Sequence, residues 1–149
     1  MTTTRTQPSY PSSIKKPRAK LIAQVTPRAI TTETPVLLYD GSSNTNGAVV
    51  TQGNITHLGN NVATVVRLYS KLANSSTYDL LVETTVAVIS GSTDALAIAS
   101  VPIELFNISP NNATPSNKGF RIEPGESIYC ALGTAIATGV NVFLEVQEY

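Results

Sequence analysis

The sequence contains few of the residues from which chemical sites are built. Its 149 residues include one cysteine, one histidine and no tryptophan. A single cysteine, Cys130, cannot form an internal disulfide bond, and a single histidine, His57, cannot build a multi-histidine metal site. We therefore expect no disulfide, no metal site and no cofactor in this chain.

Long hydrophobic runs and charge are also scarce. No stretch of about 18 apolar residues occurs, so we expect no membrane span. The first 30 positions are polar, proline-bearing and basic, so we expect no secretory signal. Charged residues make up only 13% of the chain, against roughly a quarter in ordinary soluble domains. The polar surface is supplied instead by 19 Thr, 14 Ser and 11 Asn residues.

The formal net charge of zero is a cancellation between two regions. Six cations precede the first acidic residue, Glu33, and they are the candidate partner-binding residues: Arg5, Lys15, Lys16, Arg18, Lys20 and Arg28. From residue 29 onward the chain has four cations and ten carboxylates, a net charge of −6. Four prolines and many Ser and Thr residues predict an extended arm over residues 1–33, followed by a body over residues 34–149.

Three interpretations of the arm remain open. It is a solvated tail, or it docks on acidic surface of a neighbouring subunit, including an identical body, or it binds nucleic acid. The acidic body and the lone aromatic Tyr10 argue against nucleic acid. Alternation over residues 21–26 predicts that the end of the arm forms a strand.

The body alternates with period two and is interrupted about every ten residues by turn residues, which predicts an all-β fold. We expect a single β-sandwich, jelly-roll-like or immunoglobulin-like, with about eight or nine strands. The clearest strand covers residues 140–146, and in residues 62–71 one side is apolar while the other, with Arg67 and Tyr69, is expected to face water.

Other segments are predicted with more specific roles. Residues 78–89 are apolar on both sides, which indicates a central strand or a subunit contact. Pro102 interrupts residues 95–105 and indicates an edge or a bulge, although a short helix over 93–99 is an alternative. Residues 123–126, Glu-Pro-Gly-Glu, fit a type II turn, and residues 110–118 form a surface loop by composition.

No catalytic arrangement is recognisable. His57 has no nucleophile motif around it and is expected to fill or cap a sheet face, and Cys130 is expected to be a small buried hydrophobic residue. Glu123 and Glu126 flank one turn, but the chain offers no aromatic platform for a sugar beside them. We therefore expect that the protein is not an enzyme and has no catalytic residues.

The body resembles small β-sandwich proteins of tailed bacteriophage particles. The resemblance is carried by residues 34–39 (TPVLLY), 63–69 (ATVVRLY) and 119–129 (GFRIEPGESIY), followed by 132–135 (LGTA) and the last strand. It covers residues 34–149, and its motifs are more specific for architecture than for role. The basic arm matches nothing in that family.

The resemblance implies a virion structural protein, made in the host cytoplasm and assembled into the virion. A capsid decoration or cement protein is the leading expectation, with the major capsid protein or other virion subunits as partners and a homo-oligomer, most often a trimer, as its state. The basic arm is then expected to dock on neighbouring subunits. The alternatives are a neck, tail or fibre-base component, or a sandwich module that binds a host glycan through loops such as residues 111–117.

Overall fold

The computed structural model describes residues 10–90, 98, 100–103 and 120–149. These residues form ten strands: β1 (Ser13–Lys15), β2 (Arg18–Leu21), β3 (Val36–Tyr39), β4 (Ala48–His57), β5 (Thr64–Lys71), β6 (Asp79–Val86), β7 (Val101–Pro102), β8 (Phe120–Ile122), β9 (Ser127–Leu132) and β10 (Val140–Glu148). The described part contains no helix, and so none that could cross a membrane.

The strands form two antiparallel sheets that pack against each other as a β-sandwich, which confirms the predicted fold class. In sheet A, β10 pairs with β4 along one side. Along its other side it pairs first with β2 and then with β1. Strands β7 and β8 pair with the far side of β4. Sheet B has the order β3-β9-β5-β6.

The core lies between the sheets and is formed mainly by residues at alternate positions of the strands. In β10 the inward residues are fully buried: Val140, Val142, Leu144 and Val146. Each such side chain contributes about 1.5–3 kcal/mol relative to an exposed one. Cys130 belongs to the same core, as predicted, and so does Leu21 from the arm.

The turn predicted at residues 123–126 is confirmed. The Glu126 amide donates to the Glu123 carbonyl at 3.1 Å, and Gly125 adopts a φ of 77°, which a residue with a Cβ rarely takes. The Glu126 carboxylate also accepts the Glu123 amide at 2.8 Å. Glu126 is therefore used to close the turn that joins β8 to β9.

The predictions for two strands can be compared with their positions in the sheets. Pro102 lies in β7 at an edge of sheet A, as predicted. Among the described residues, β6 is the last strand of sheet B and pairs only with β5. This contradicts the central-strand alternative for residues 78–89, and the other alternative, a subunit contact, stays a prediction. The predicted loop at 110–118 and the alternative helix at 93–99 lie outside the described residues, except for residue 98.

Candidate functional site: the arm and the surfaces it touches

The arm runs along the whole of β10. Ser13 lies opposite Glu148 at one end, and Leu21 lies opposite Val140 at the other. The Ser13 hydroxyl donates to the Glu148 carboxylate at 2.6 Å, and the Lys15 ammonium lies 3.9 Å from the same carboxylate. The strand nearest the N-terminus is therefore fixed by sheet hydrogen bonds and by one acidic side chain.

Glu148 also connects the arm to sheet B. The Tyr39 hydroxyl donates to Glu148 Oε1 at 2.9 Å. Burial is the main cause that raises the pKa of Tyr39 to about 12, and the hydrogen bond to Glu148 and the negative charge of Glu148 add to it. The hydrogen bond from Ser13 is the main cause of the lowered pKa of Glu148. At neutral pH the tyrosine is a stable donor and the glutamate is a stable acceptor.

The arm strand lies earlier in the chain than the alternation predicted. Residues 13–21 pair with β10, whereas residues 24–26 leave sheet A and meet the end of β9. There the Leu132 amide donates to the Gln24 carbonyl at 2.8 Å, and the Thr26 amide donates to the Leu132 carbonyl at 3.0 Å. The arm thus passes from one sheet to the other and closes that side of the sandwich.

Beyond this crossing, residues 26–28 lie on the outward face of sheet B and form what we term the clamp, together with Arg67, Tyr69 and Glu83. Glu83 is the centre of its charges. Arg67 Nε donates to Glu83 Oε1 at 2.7 Å, and Arg28 Nε donates to Glu83 Oε2 at 2.8 Å. Hydrogen bonds from Arg28 and then Arg67 hold the pKa of Glu83 below its ordinary value.

The clamp also contains buried hydrogen bonds to the arm backbone. Arg67 Nη1 donates to the Thr26 carbonyl, and the Tyr69 hydroxyl donates to the Pro27 carbonyl at 2.7 Å. The Thr26 hydroxyl lies 2.7 Å from the Tyr69 oxygen. Because the tyrosine proton is directed to Pro27, the Thr26 hydroxyl is the donor to Tyr69.

The clamp corrects the prediction for residues 62–71. The side with Arg67 and Tyr69 was expected to face water, but these residues are only 8% and 0% exposed. The arm covers them, and Glu83 from β6 neutralises the guanidinium. The sequence contained one signal that another segment covers this face. On the outward side of an otherwise apolar strand, an arginine stands two residues before a tyrosine.

The predicted partner-binding residues are divided among several locations. Lys15 contacts Glu148, Arg28 belongs to the clamp, and Arg18 lies over the Phe143 ring at 5.6 Å from its centroid. Lys16 and Lys20 form no ion pair with any described residue. Arg5 lies outside the described residues. The structure therefore brings Lys15, Arg18 and Arg28 against the body and does not gather the five described cations into one patch.

The remaining candidates for a chemical role, His57 and Cys130, are buried between the sheets. His57 is 5% exposed and its Nδ1 atom has no hydrogen-bond partner, as expected of a residue that fills a sheet face. Burial raises the pKa of the Cys130 thiol to about 12, so the reactive thiolate is scarce at neutral pH. In the described ranges, no three potential metal ligands of the His, Cys, Asp or Glu type lie together.

No family model, curated protein or solved structure matches the chain. Its class therefore rests on the fold: an all-β sandwich whose N-terminal segment pairs with β10 in sheet A and forms one isolated bridge to β9 of sheet B.

Proposed function

We propose that this protein is a non-enzymatic structural subunit of a virus particle, a capsid decoration or cement protein that joins neighbouring subunits through its basic arm. The resemblance of residues 34–149 to phage sandwich proteins supports the virion assignment. The observation that carries the joining role is the docking of residues 13–28 on a body of opposite charge. An identical neighbour presents the same β10 edge and the same clamp residues.

The connection between arm and body permits this exchange. Residues 29–34 follow the clamp and precede β3, and most of them are exposed. The only side-chain hydrogen bonds described within this connection are local, from the Thr31 and Thr32 amides to the Glu33 carboxylate. A change of backbone direction here transfers residues 10–28 to a second body, where every arm contact forms again. Such exchange conserves the contact energy and links the copies.

The free edge of sheet B supports packing in an assembly. Strand β6 has eight residues and, among the described residues, no partner on its outer side. Leu80 on this strand is 37% exposed, and Val88 just after it is 61% exposed. An unpaired strand edge with apolar side chains favours association with another subunit. This fits the homo-oligomer, with a trimer as the favoured state.

A disulfide trap distinguishes an exchanged arm from one that stays on its own body. Ile14 and Gln147 are direct Cα partners across β1 and β10, and such pairs lie about 4.5–5.5 Å apart, within disulfide range. We expect the double variant Ile14→Cys/Gln147→Cys, oxidised at high concentration, to give covalent dimers and larger species on a non-reducing gel. The native Cys130 stays out of the reaction because it is buried.

The matched control uses the other neighbour of the same residue. Gln147 also pairs with Val49 on β4, so Val49→Cys/Gln147→Cys joins two strands of the body and should give only monomers. If the arm pair also gives monomers at every concentration, the arm does not exchange. Deletion of residues 1–28 is a poorer test, because it removes Leu21 from the core.

The position in the particle needs a separate observation. We expect mass spectrometry to find the protein in purified particles and electron cryo-microscopy to show it distributed over the shell. Density confined to the neck, tail or fibre base would replace the decoration role with that location. Absence of the protein from purified particles would remove the virion assignment.

A further inference from the structure

A shallow depression lies on the outward face of sheet A, where β2, β10 and β4 run side by side. It has a volume of about 290 Å³ and is lined by Arg18, Asn54, Thr56, Asn141, Val142 and Phe143. The register places Phe143 between Arg18 and Asn54, and it places Asn141 between Lys20 and Thr56. Side chains from three strands therefore surround one point on the sheet.

Within the described part of the chain, the polar side chains of this depression have no hydrogen-bond partner. The side chains of Asn54, Thr56 and Asn141 form no hydrogen bond with another described residue. Thr56 and Asn141 are exposed and Asn54 is half-buried. Two amides and one hydroxyl together supply both donors and acceptors, the combination that a polyhydroxylated ligand requires.

The same location has an oriented and unpaired positive charge. The Arg18 guanidinium lies 5.6 Å from the centroid of the Phe143 ring, and neither it nor Lys20 has a carboxylate partner in the described part of the chain. The carboxylate at the next outward position of β10, Glu145, accepts the Thr51 hydroxyl at 2.9 Å. The two cations, Arg18 and Lys20, outnumber this one carboxylate, so this part of the face has a net positive charge.

We propose that this depression binds an acidic saccharide, a sugar ring that carries a carboxylate. The guanidinium matches a carboxylate through two parallel hydrogen bonds, and the amides and the hydroxyl match the ring hydroxyls. The volume lies at the small end of the range for ligand sites, about 300 Å³, which fits one or two sugar rings. This inference goes beyond the joining role and does not depend on it, since the site forms whichever copy supplies β2.

The first test is a titration of the ¹⁵N-labelled protein followed by NMR. The probe is a trisaccharide of galacturonate, and its methyl ester is the matched neutral probe. We expect the side-chain amide signals of Asn54 and Asn141 to shift with the acidic probe. The ester should bind at least tenfold more weakly, because a charge-assisted hydrogen bond contributes about 1.5–3 kcal/mol. No shift of these signals at millimolar probe would overturn the proposal.

Two variants locate the binding. Arg18→Gln removes the charge and keeps a polar side chain of similar reach, and we expect it to lose about tenfold in affinity. Lys71→Gln is the control, since Lys71 lies 4.9 Å from the Tyr78 ring centroid in the same kind of contact outside this depression. The control should bind as the parent does. Equal losses in both variants would contradict the site.

A third probe separates a saccharide site from a general surface for anions. A poly-glutamate peptide has carboxylates without sugar hydroxyls, so the amides of Asn54 and Asn141 should shift less with it at equal charge concentration. If the peptide binds as tightly and shifts the same signals, the face is a docking site for acidic protein segments and the saccharide proposal fails.

Discussion

At the scale of single residues, His57 shows how position determines chemistry. It ends β4 opposite Val140, is almost fully buried, and leaves Nδ1 without a partner. Burial lowers the pKa of His57, because a charged imidazolium loses its hydration there. In the folded protein at neutral pH the ring is therefore uncharged, and its role is to fill space between the sheets.

This position predicts a loss of stability in weak acid. Because the folded protein has the lower pKa, the unfolded chain takes up the proton first as the pH falls below about 6.5. The free energy of unfolding should therefore be greatest above that pH and decrease below it. His57→Leu should remove this part of the pH dependence. Urea unfolding of both proteins at about pH 7.5 and about pH 5 measures it.

The comparison isolates the histidine from the carboxylates. Glu83 and Glu148 have lowered pKa values and also lose their contributions in acid, but they do so in both proteins. The difference between parent and variant therefore belongs to His57. An identical dependence on pH in the two proteins would contradict the assignment.

Two glycines show which of the positions that require a glycine can be predicted from the sequence. Gly125 follows a proline in a turn, and its positive φ could be predicted from that local pattern. Gly41 follows an aspartate and also signals a turn, but a Cβ there would overlap the carbonyl oxygen of Glu126. The second requirement arises between residues 85 positions apart. Only the folded arrangement shows it.

At the scale of strands, alternation predicted the elements better than their surroundings. The inward side of β10 and the body strand β5 were located correctly, because side chains of a strand alternate between its two faces. The cover over Arg67 was not predicted, and the apolar residues on both sides of β6 left open whether it is a central strand or a subunit contact. Alternation shows which residues share a face, whereas a distant segment of chain determines whether that face is covered.

The clamp provides a prediction at this scale. Glu83→Gln should lower the free energy of unfolding by about 1–3 kcal/mol, because the Arg67 side chain, 10% exposed, loses its charged acceptor. Arg28→Gln is the matched control and should cost less than about 1 kcal/mol, because the Arg28 side chain is 69% exposed. Urea unfolding at neutral pH measures both.

The dependence on pH gives an independent check on the clamp. Hydrogen bonds from Arg28 and Arg67 lower the folded pKa of Glu83, so its contribution is present above its ordinary pKa of 4.5 and is lost as the pH falls below it. Glu83→Gln should therefore have a flatter stability profile in this acidic range. Equal costs for the two substitutions at neutral pH would show that Arg67 does not depend on Glu83.

At the scale of the whole molecule, the cancellation of charge has a structural basis. Residues 1–28 carry a net charge of +6 and residues 29–149 a net charge of −6, and this separation could be predicted without a structure. The arm adds two strands to sheet A, forms one bridge to β9 of sheet B and contributes Leu21 to the core. That role could not be predicted, since it depends on pairings between residues more than 100 positions apart.

Opposite charge on arm and body predicts that salt loosens the arm selectively. At about 1 M NaCl the Debye length falls to about 3 Å, so attraction between the separated charges is screened while backbone pairing inside the sandwich is not. We expect amide hydrogen exchange in β1 and β2 to accelerate between low and high salt. Exchange at the β4–β10 pairing, which lies within the body, serves as the internal control and should stay constant. A uniform change across all strands would show instead that salt acts on global stability and that charge does not hold the arm in place.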